Sequence, residues 1–527
     1  MGVYLNPNNV LFQRDLKSEI YVDKSMVIEK LNNIIDTSNN YLCVSRPRRF
    51  GKTMATNLIS AFYSKGCDSR ELFSNLKIAQ LPGWDKNLNK LNVIKFDVQG
   101  FLAFIDEPEN LPKKINTSIN KELVKSFPEA DIDIDDFLGE SIVKVYATTG
   151  EQFILIMDEY DVMVRQEVSK KAFDNYLKFL NGLFKNSNVR PALHLAYLTG
   201  ILPIVRDKIQ SKLNEFKEYS VIMPRELSGF IGFTEPEVEE LCKQYKMDFP
   251  ECKKWYNGYK IGTEEAIYNP CSVVEAMNNK EYSDYWTITG SYEALKNYIM
   301  LNFEGIRNDI ISMIGGSTVK VEVLSFLNTM TSFHSKDDVF TYLIHLGYLA
   351  YDSREKVCWI PNNEIRSEWI ISIRNEPQYK TVIDMVNESR TLLEQTIALN
   401  ETAVAQALDK AHIIATNPKT YNNEGALQSA ICLAYFYAYN YYTVIQELPT
   451  GEGYADVVFL PVHPGQGKPA LVVELKMNKT TATALTQIKA KQYGQDLSHY
   501  IGDMLFIGIN YDPETKEHQC KIEKLMM

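Results

Sequence analysis

One stretch constrains the fold more than any other: Tyr41-Leu-Cys-Val-Ser-Arg-Pro-Arg-Arg-Phe-Gly-Lys-Thr-Met54. Tyr41 to Val44 is a short apolar run that suits a buried strand. Ser45-Arg46-Pro47 breaks it, and Gly51-Lys52-Thr53 opens a segment, Met54 to Tyr63, with apolar residues at helical spacing. A strand, a loop and Gly-Lys-Thr at a helix N-terminus make an anion cradle, because free backbone N–H groups and the positive end of the helix face the same point. Arg46, Pro47, Arg48, Arg49, Phe50, Gly51, Lys52, Thr53 and Met54 are therefore the candidate nucleotide-binding residues. Lys52 is expected to reach the terminal phosphates and the Thr53 hydroxyl to hold Mg²⁺. The usual G-x-x-x-x-G-K-[ST] spacing would put its first glycine at position 46, where this chain has Arg46. Gly-Lys-Thr at a helix start also arises by chance, so the reading needs support from elsewhere.

That support comes from Phe153-Ile-Leu-Ile-Met-Asp158-Glu159-Tyr-Asp161. Consecutive apolar residues suit a strand buried on both faces, as in a parallel sheet. Asp158 at its end is expected to hold the Mg²⁺ shell, and Glu159 to polarise the water that attacks a γ-phosphate. A further buried strand, Leu193 to Gly200, ends in Thr199, placed to sense the γ-phosphate if this strand lies between the other two. Arg206 could reach phosphate at its own site or a neighbour's in a homo-oligomer, although a surface arginine is the plainer reading. Asn92 to Asp97 and Tyr219 to Met223 complete the candidate strands. Asp23 is expected to cap the helix from Met26 to Ile35. Strands alternating with helices imply an α/β, doubly wound, mostly parallel sheet with its ligand at the strands' C-terminal ends.

Length decides that this is more than one domain: 527 residues exceed a single core, and about 150 residues per domain suggests about three. The parts read as 1–232, an α/β nucleotide-binding domain; 233–385, mainly helical; and 386–527, a second α/β domain. The helical part opens on a capping box, Thr234 with Glu237. A net charge of −11 argues against wholesale coating of nucleic acid, though not against a local basic groove. The eight cysteines are scattered singly and read as reduced thiols, without zinc-ligand spacing. No secretory signal and no span long enough for a bilayer is visible, so a cytoplasmic protein without membrane contact is expected.

A second constellation lies near the C-terminus. Asp456 stands at the start of one strand, and the next, Ala470 to Lys476, ends Glu474-Leu-Lys476. The two-residue period puts Glu474 and Lys476 on one face. Asp456, Glu474 and the Leu475 carbonyl make a hard-oxygen set suited to Mg²⁺ or Mn²⁺, with Glu424 on the preceding helix as a further ligand. Lys476 is expected to orient or deprotonate the attacking water.

Across nearly its whole length the chain resembles the bacterial AAA-ATPase-like family that carries a C-terminal PD-(D/E)XK nuclease-superfamily domain. The resemblance is carried by Tyr21-Val-Asp-Lys-Ser, Arg46-Pro-Arg-Arg-Phe-Gly-Lys-Thr, Leu155-Ile-Met-Asp-Glu-Tyr-Asp, Leu198-Thr-Gly-Ile, Gly232-Phe-Thr, Trp255-Tyr-Asn-Gly-Tyr and Tyr268-Asn-Pro. It continues through Ile344-His-Leu-Gly-Tyr-Leu, Ile360-Pro-Asn, Gly453-Tyr-Ala-Asp and Val473-Glu-Leu-Lys. The family's loop itself lacks the first glycine, which accounts for Arg46. The resemblance implies a P-loop ATPase with a helical middle region and a restriction-endonuclease-like α/β domain, using ATP and Mg²⁺ and acting on DNA or RNA. Ala455 stands where the superfamily often has proline. An alternative keeps the fold and drops the cleavage: a nucleotide-switched interaction protein whose nuclease fold is a binding platform.

Overall fold

The structure is a computed structural model. It describes residues 2–166, 168–203, 213, 215–223, 225–262, 264–286, 292–301, 303–326, 333–415, 424–450, 453–463, 468–477, 481, 484 and 504–525. The chain forms two compact units: Met1–Lys246, Gly258–Lys280 and Val321–Lys356 make the first, and Met247–Asn257, Glu281–Lys320 and Val357–Met527 the second. The range 233–385 is largely helical, and it is shared between the units rather than standing as one block. Its helices pack in two directions: Glu235–Tyr245 goes with Pro270–Asn279 in the first unit, and Phe249–Tyr256 with Asn363–Ile373 in the second.

The first unit is built on a five-stranded sheet of β1 (Tyr41–Ser45), β2 (Asn92–Asp97), β3 (Phe153–Asp158), β4 (Leu193–Gly200) and β5 (Lys217–Tyr219). Their spatial order is β2-β3-β4-β1-β5, with every pair parallel. All residues of β1 and β3 are buried, as strands covered on both faces must be. Each such apolar side chain contributes about 1.5–3 kcal/mol when withdrawn from water. The helix Lys170–Phe184 buries Tyr176, Leu177, Leu180 and Leu183 at helical spacing and contributes Tyr176, Leu180 and Leu183 to the same core as β3 and β4. β4 does lie between β1 and β3, so the phosphate loop and the acidic strand end at the same edge of the sheet, two strands apart. The last strand is three residues, Lys217–Tyr219, rather than Tyr219 to Met223.

The second unit carries a mixed sheet of Tyr442–Thr450, Gly453–Pro461, Ala470–Met477, Met504–Asp512 and Glu517–Leu525, in that spatial order. The first three pair antiparallel, the third and fourth parallel, and the last two antiparallel. The helix Glu401–Ala415 packs on Glu517–Leu525, and Glu424–Ala434 packs on both Gly453–Pro461 and Ala470–Met477. All eight cysteines are free thiols. Among the described residues no helix is long and apolar enough to cross a membrane.

Candidate functional site

β1 delivers the chain to a loop that is held from below. The Arg46 N–H donates to the Gly200 carbonyl at 3.1 Å. Its guanidinium is fully buried and donates to the carbonyls of Ser45 (2.9 Å), Tyr219 (2.9 Å) and Leu227 (3.4 Å). Burial pulls its pKa down to about 10, so it stays charged at neutral pH. Placed by its sequence position among the nucleotide contacts, Arg46 is spent on the scaffold: its side chain does not line the cavity described below. A guanidinium has five donors to satisfy once buried, and the carbonyls of two strand ends, Ser45 and Tyr219, and of Leu227 in the turn Arg225–Phe230 accept from it.

Gly51 caps the helix Lys52–Tyr63 with φ of +89°, a left-handed conformation that costs other residues energy. Lys52 folds back under the loop, its Nζ donating to the carbonyls of Arg46 (3.1 Å) and Pro47 (3.0 Å). Burial lowers its pKa, while Glu159, Asp161 and Asp158 act in the opposite direction. Thr53 Oγ1 donates to Asp158 Oδ2 at 2.8 Å, joining the loop to the acidic strand. A hydroxyl and a carboxylate at that distance are hard oxygen donors of the kind Mg²⁺ takes.

Beside these groups is a cavity of about 490 Å³, within the size range of small-molecule sites. Arg48, Arg49, Gly51, Lys52, Thr53 and Glu159 line its polar part; Ile20, Tyr21, Val22, Phe230, Phe233 and Pro270 supply apolar wall. Phe50, in the loop, also packs edge-on against Tyr259 at 5.3 Å between ring centres. Met54 contributes to the lining as well; Pro47 does not, and serves through its carbonyl. Lys24 reaches the same cavity and pairs with Glu237 at 2.5 Å. Glu237 is also the far half of the Thr234 capping box, so one carboxylate ties a helix start to the cavity. Asp23, expected as a helix cap, instead accepts from the N–H groups of Ser25 and Lys77 at 2.8 and 2.6 Å. The helix begins at Val27, too late for Asp23 to reach its free N–H groups.

Gly232 gives this wall a sharp test. Its φ is +107°, and a Cβ there would lie 2.6 Å from Ile267 Cγ2. Gly232→Ala should therefore cost about 1–3 kcal/mol of stability and narrow the cavity, read as a lower melting temperature together with weaker binding of labelled ATP.

At the end of β3, Asp158 is nearly buried and Glu159 turns into the left-handed region with φ of +51°. Burial raises the pKa of both carboxyls. Glu159 pairs with Arg165 Nη2, and Arg165 Nε reaches Asp161 Oδ2 at 3.0 Å. Asp161 and Arg165 were not singled out from sequence. Their four-residue spacing at the start of a helix was the available signal. Thr199 is fully buried and its Oγ1 donates to the Val44 carbonyl at 2.8 Å, its register partner across β1 and β4. It does not line the cavity, and its hydroxyl is engaged in a strand-to-strand bond. Arg206 lies outside the described residues.

In the second unit, the pairing Val457 with Val473 and Val458 with Val472, continued by one step, sets Asp456 opposite Glu474. Directly opposed residues of antiparallel strands project from one face. Leu475 N–H donates to Asp456 Oδ2 at 2.6 Å, and Lys476 Nζ lies 3.0 Å from Glu474 Oε1. Glu474 is buried and Lys476 nearly so, which gives two carboxylates and one ammonium in one sheltered spot. Two oxygen-bearing acids with a lysine suit a hard divalent cation. Glu424 opens the helix packed on both strands, but its side chain lies outside the described residues.

Comparison with known proteins agrees with this division. Residues 13–210 match the family described as predicted AAA-ATPase, and residues 422–520 match the PD-(D/E)XK nuclease superfamily. An uncharacterized protein in the vnfD 5′ region of Azotobacter chroococcum mcd 1 is 27% identical over 280 residues, covering 51% of each chain. The chain thus spans about half the length of that curated relative. Among solved structures, the Aeropyrum pernix ORC2 protein, in ADPNP and ADP complexes, aligns with 10% identity and a TM-score of 0.31 over 70% of this chain and 98% of its own. CDC6P from Pyrobaculum aerophilum aligns with 11% identity and a TM-score of 0.26 over 71% and 99%. Similarities this low carry no weight for function. The family matches do carry weight, and they identify a chain that joins an AAA-ATPase-like region to a PD-(D/E)XK nuclease-superfamily region.

Proposed function

We propose that the chain binds and hydrolyses ATP in the cavity of the first unit, and that the second unit cleaves phosphodiesters of nucleic acid, DNA or RNA, with Mg²⁺ or Mn²⁺. The observation that carries the first half is the bond from Thr53, which lines a cavity of about 490 Å³, to Asp158, with Lys52 and Glu159 in the same lining. Thr53 and Asp158 would hold Mg²⁺, whose charge neutralises phosphate. Lys52 would leave its two carbonyl partners for the β- and γ-phosphates. Glu159 would take a proton from water as that oxygen bonds to the γ-phosphorus and the bond to the bridging oxygen breaks, releasing ADP and phosphate.

In the second unit Asp456 and Glu474, with the Leu475 carbonyl and Glu424, would hold the cation, and Lys476 would orient or deprotonate the attacking water. The functional parts under this reading are 1–232, 233–385 and 386–527, in a cytoplasmic bacterial protein open to homo-oligomer formation. A second reading, a nucleotide-switched binding platform, draws on the same geometry: the Leu475–Asp456 bond also ties two strands together, and Lys476 also neutralises Glu474 along one strand, both without chemistry.

Glu159→Gln tests the first half. The amide keeps the shape and loses the base, so ATP should bind at wild-type strength and turn over at least about a hundredfold more slowly. Turnover at the parent rate would move the base elsewhere.

A further inference from the structure

We infer that Arg165 is a positioning residue that clamps Glu159 in a resting pose, and that the clamp is anchored through Asp161 to the backbone just after β4. The inference rests on the cavity being an ATPase site and adds how that site is restrained.

A general base needs an oxygen lone pair free to accept a proton. A carboxylate engaged by a guanidinium has one oxygen held in a fixed direction and its charge partly neutralised, and is a weaker base. Glu159 Oε2 is so engaged by Arg165 Nη2. This is not a loose surface pair, since the Arg165 side chain is 9% exposed and that of Glu159 21%. Poor access to water makes such a contact more persistent than an exposed one.

The other end of the clamp is fixed. Asp161 is fully buried, and its Oδ2 accepts from Arg165 Nε (3.0 Å), Ile201 N–H (3.0 Å) and Leu202 N–H (2.8 Å). Gly200 presses on the same carboxylate: a Cβ on it would sit 2.4 Å from Asp161 Oδ1. The chain leaving β4 therefore sets where Asp161 stands, Asp161 sets Arg165, and Arg165 sets Glu159. Since β4 lies between the strand of the phosphate loop and the strand of the acids, a shift of residues 201–202 reaches the base through two side chains.

Glu159 is the movable end. Its contact with Arg165 is made by the side chain alone, so a rotation about the side-chain bonds frees the carboxylate without moving the backbone, whose φ is +51°. Lys52 is at rest in the same sense, held by the carbonyls of its own loop. Turnover then depends on releasing the carboxylate, and whatever loosens residues 201–202 from Asp161 raises the rate.

The test is steady-state ATP turnover by the full chain carrying Arg165→Ala, alongside labelled-ATP binding and thermal melting. The expected result is a kcat about tenfold above wild type, equivalent to about 1.4 kcal/mol, with KM for ATP unchanged. Arg165→Ala combined with Glu159→Gln should be as slow as Glu159→Gln alone, since the gain passes through that carboxylate. Arg165→Lys, which keeps the charge and loses the fork, should fall between wild type and Arg165→Ala and serves if the alanine variant melts early. A kcat at or below wild type in folded Arg165→Ala or Arg165→Lys that still binds ATP would overturn the clamp. So would a double variant that keeps the gain. If Glu159→Gln is slow and the Arg165 variants are not fast, only the clamp falls. If wild type and Glu159→Gln turn over alike, the assignment of the base falls and the clamp with it.

Discussion

Lys52→Ala is expected to weaken ATP binding by about a hundredfold, roughly 2.7 kcal/mol, the scale of a charge-assisted contact to phosphate. The ammonium is buried and bonded to two loop carbonyls beneath the loop expected to hold the phosphates. Arg48 and Arg49 line the same cavity from the loop ahead of the helix start. Removing Lys52 also leaves the Arg46 and Pro47 carbonyls without this donor, so the variant's melting curve belongs beside the binding isotherm. Equilibrium binding of labelled ATP at wild-type strength would contradict the phosphate-loop assignment. A lower melting temperature with intact binding would leave Lys52 a structural residue only.

Asp456→Ala should abolish metal-dependent cleavage while ATP binds as before. The physical reason is local. Asp456 and Glu474 face each other across antiparallel strands, and two such carboxylates repel unless a cation intervenes. Lys476, 3.0 Å from Glu474, compensates one of them; a divalent ion would compensate both. Without Asp456 the cation loses one of its acidic ligands, and the Leu475 N–H loses its 2.6 Å acceptor. The nucleotide site belongs to the other compact unit, so its affinity is expected to hold. Fragment yield from labelled nucleic acid, measured with ATP binding on the same preparation, checks both halves. Cleavage unchanged in Asp456→Ala would leave the platform reading standing.

The first unit was legible because two of its strands are short runs of apolar residues. Leu42 to Val44 and Phe153 to Met157 suit strands buried on both faces, and they are. Lys217–Tyr219 was misplaced by a few residues because an edge strand bearing Lys217 and Glu218 shows no such run. In the second unit Asp456 to Leu460 and Ala470 to Lys476 read as strands from their apolar runs, and they lie within the longer Gly453–Pro461 and Ala470–Met477; Asp456 is therefore inside its strand and not at its start. Glu517–Leu525 did not read as a strand, since Glu, His, Gln and Lys alternate through it with few apolar residues. The parallel pairing of Ala470–Met477 with Met504–Asp512 joins segments well apart in sequence, which no local pattern encodes.

Within the site, residue type gave the chemistry and said little about direction. Asp158 and Thr53 meet as their spacing to loop and strand suggested. Arg46 and Thr199 occupy the expected positions, but each turns its polar atoms to neighbouring carbonyls, because a buried donor takes the nearest acceptor. Arg165 gave no distinct signal, because an arginine four residues after an aspartate is common at helix starts and its second partner, Glu159, is set by the turn between strand and helix.

One chain that houses two chemistries should cleave end-labelled DNA or RNA, assayed with the intact chain, with Mg²⁺ or Mn²⁺ supplied or chelated, and with ATP present or omitted. Fragments are expected from at least one nucleic acid when the metal is present, and none when it is chelated. Intact substrate under every condition, from a preparation that binds ATP, would overturn the nuclease half and leave the binding platform.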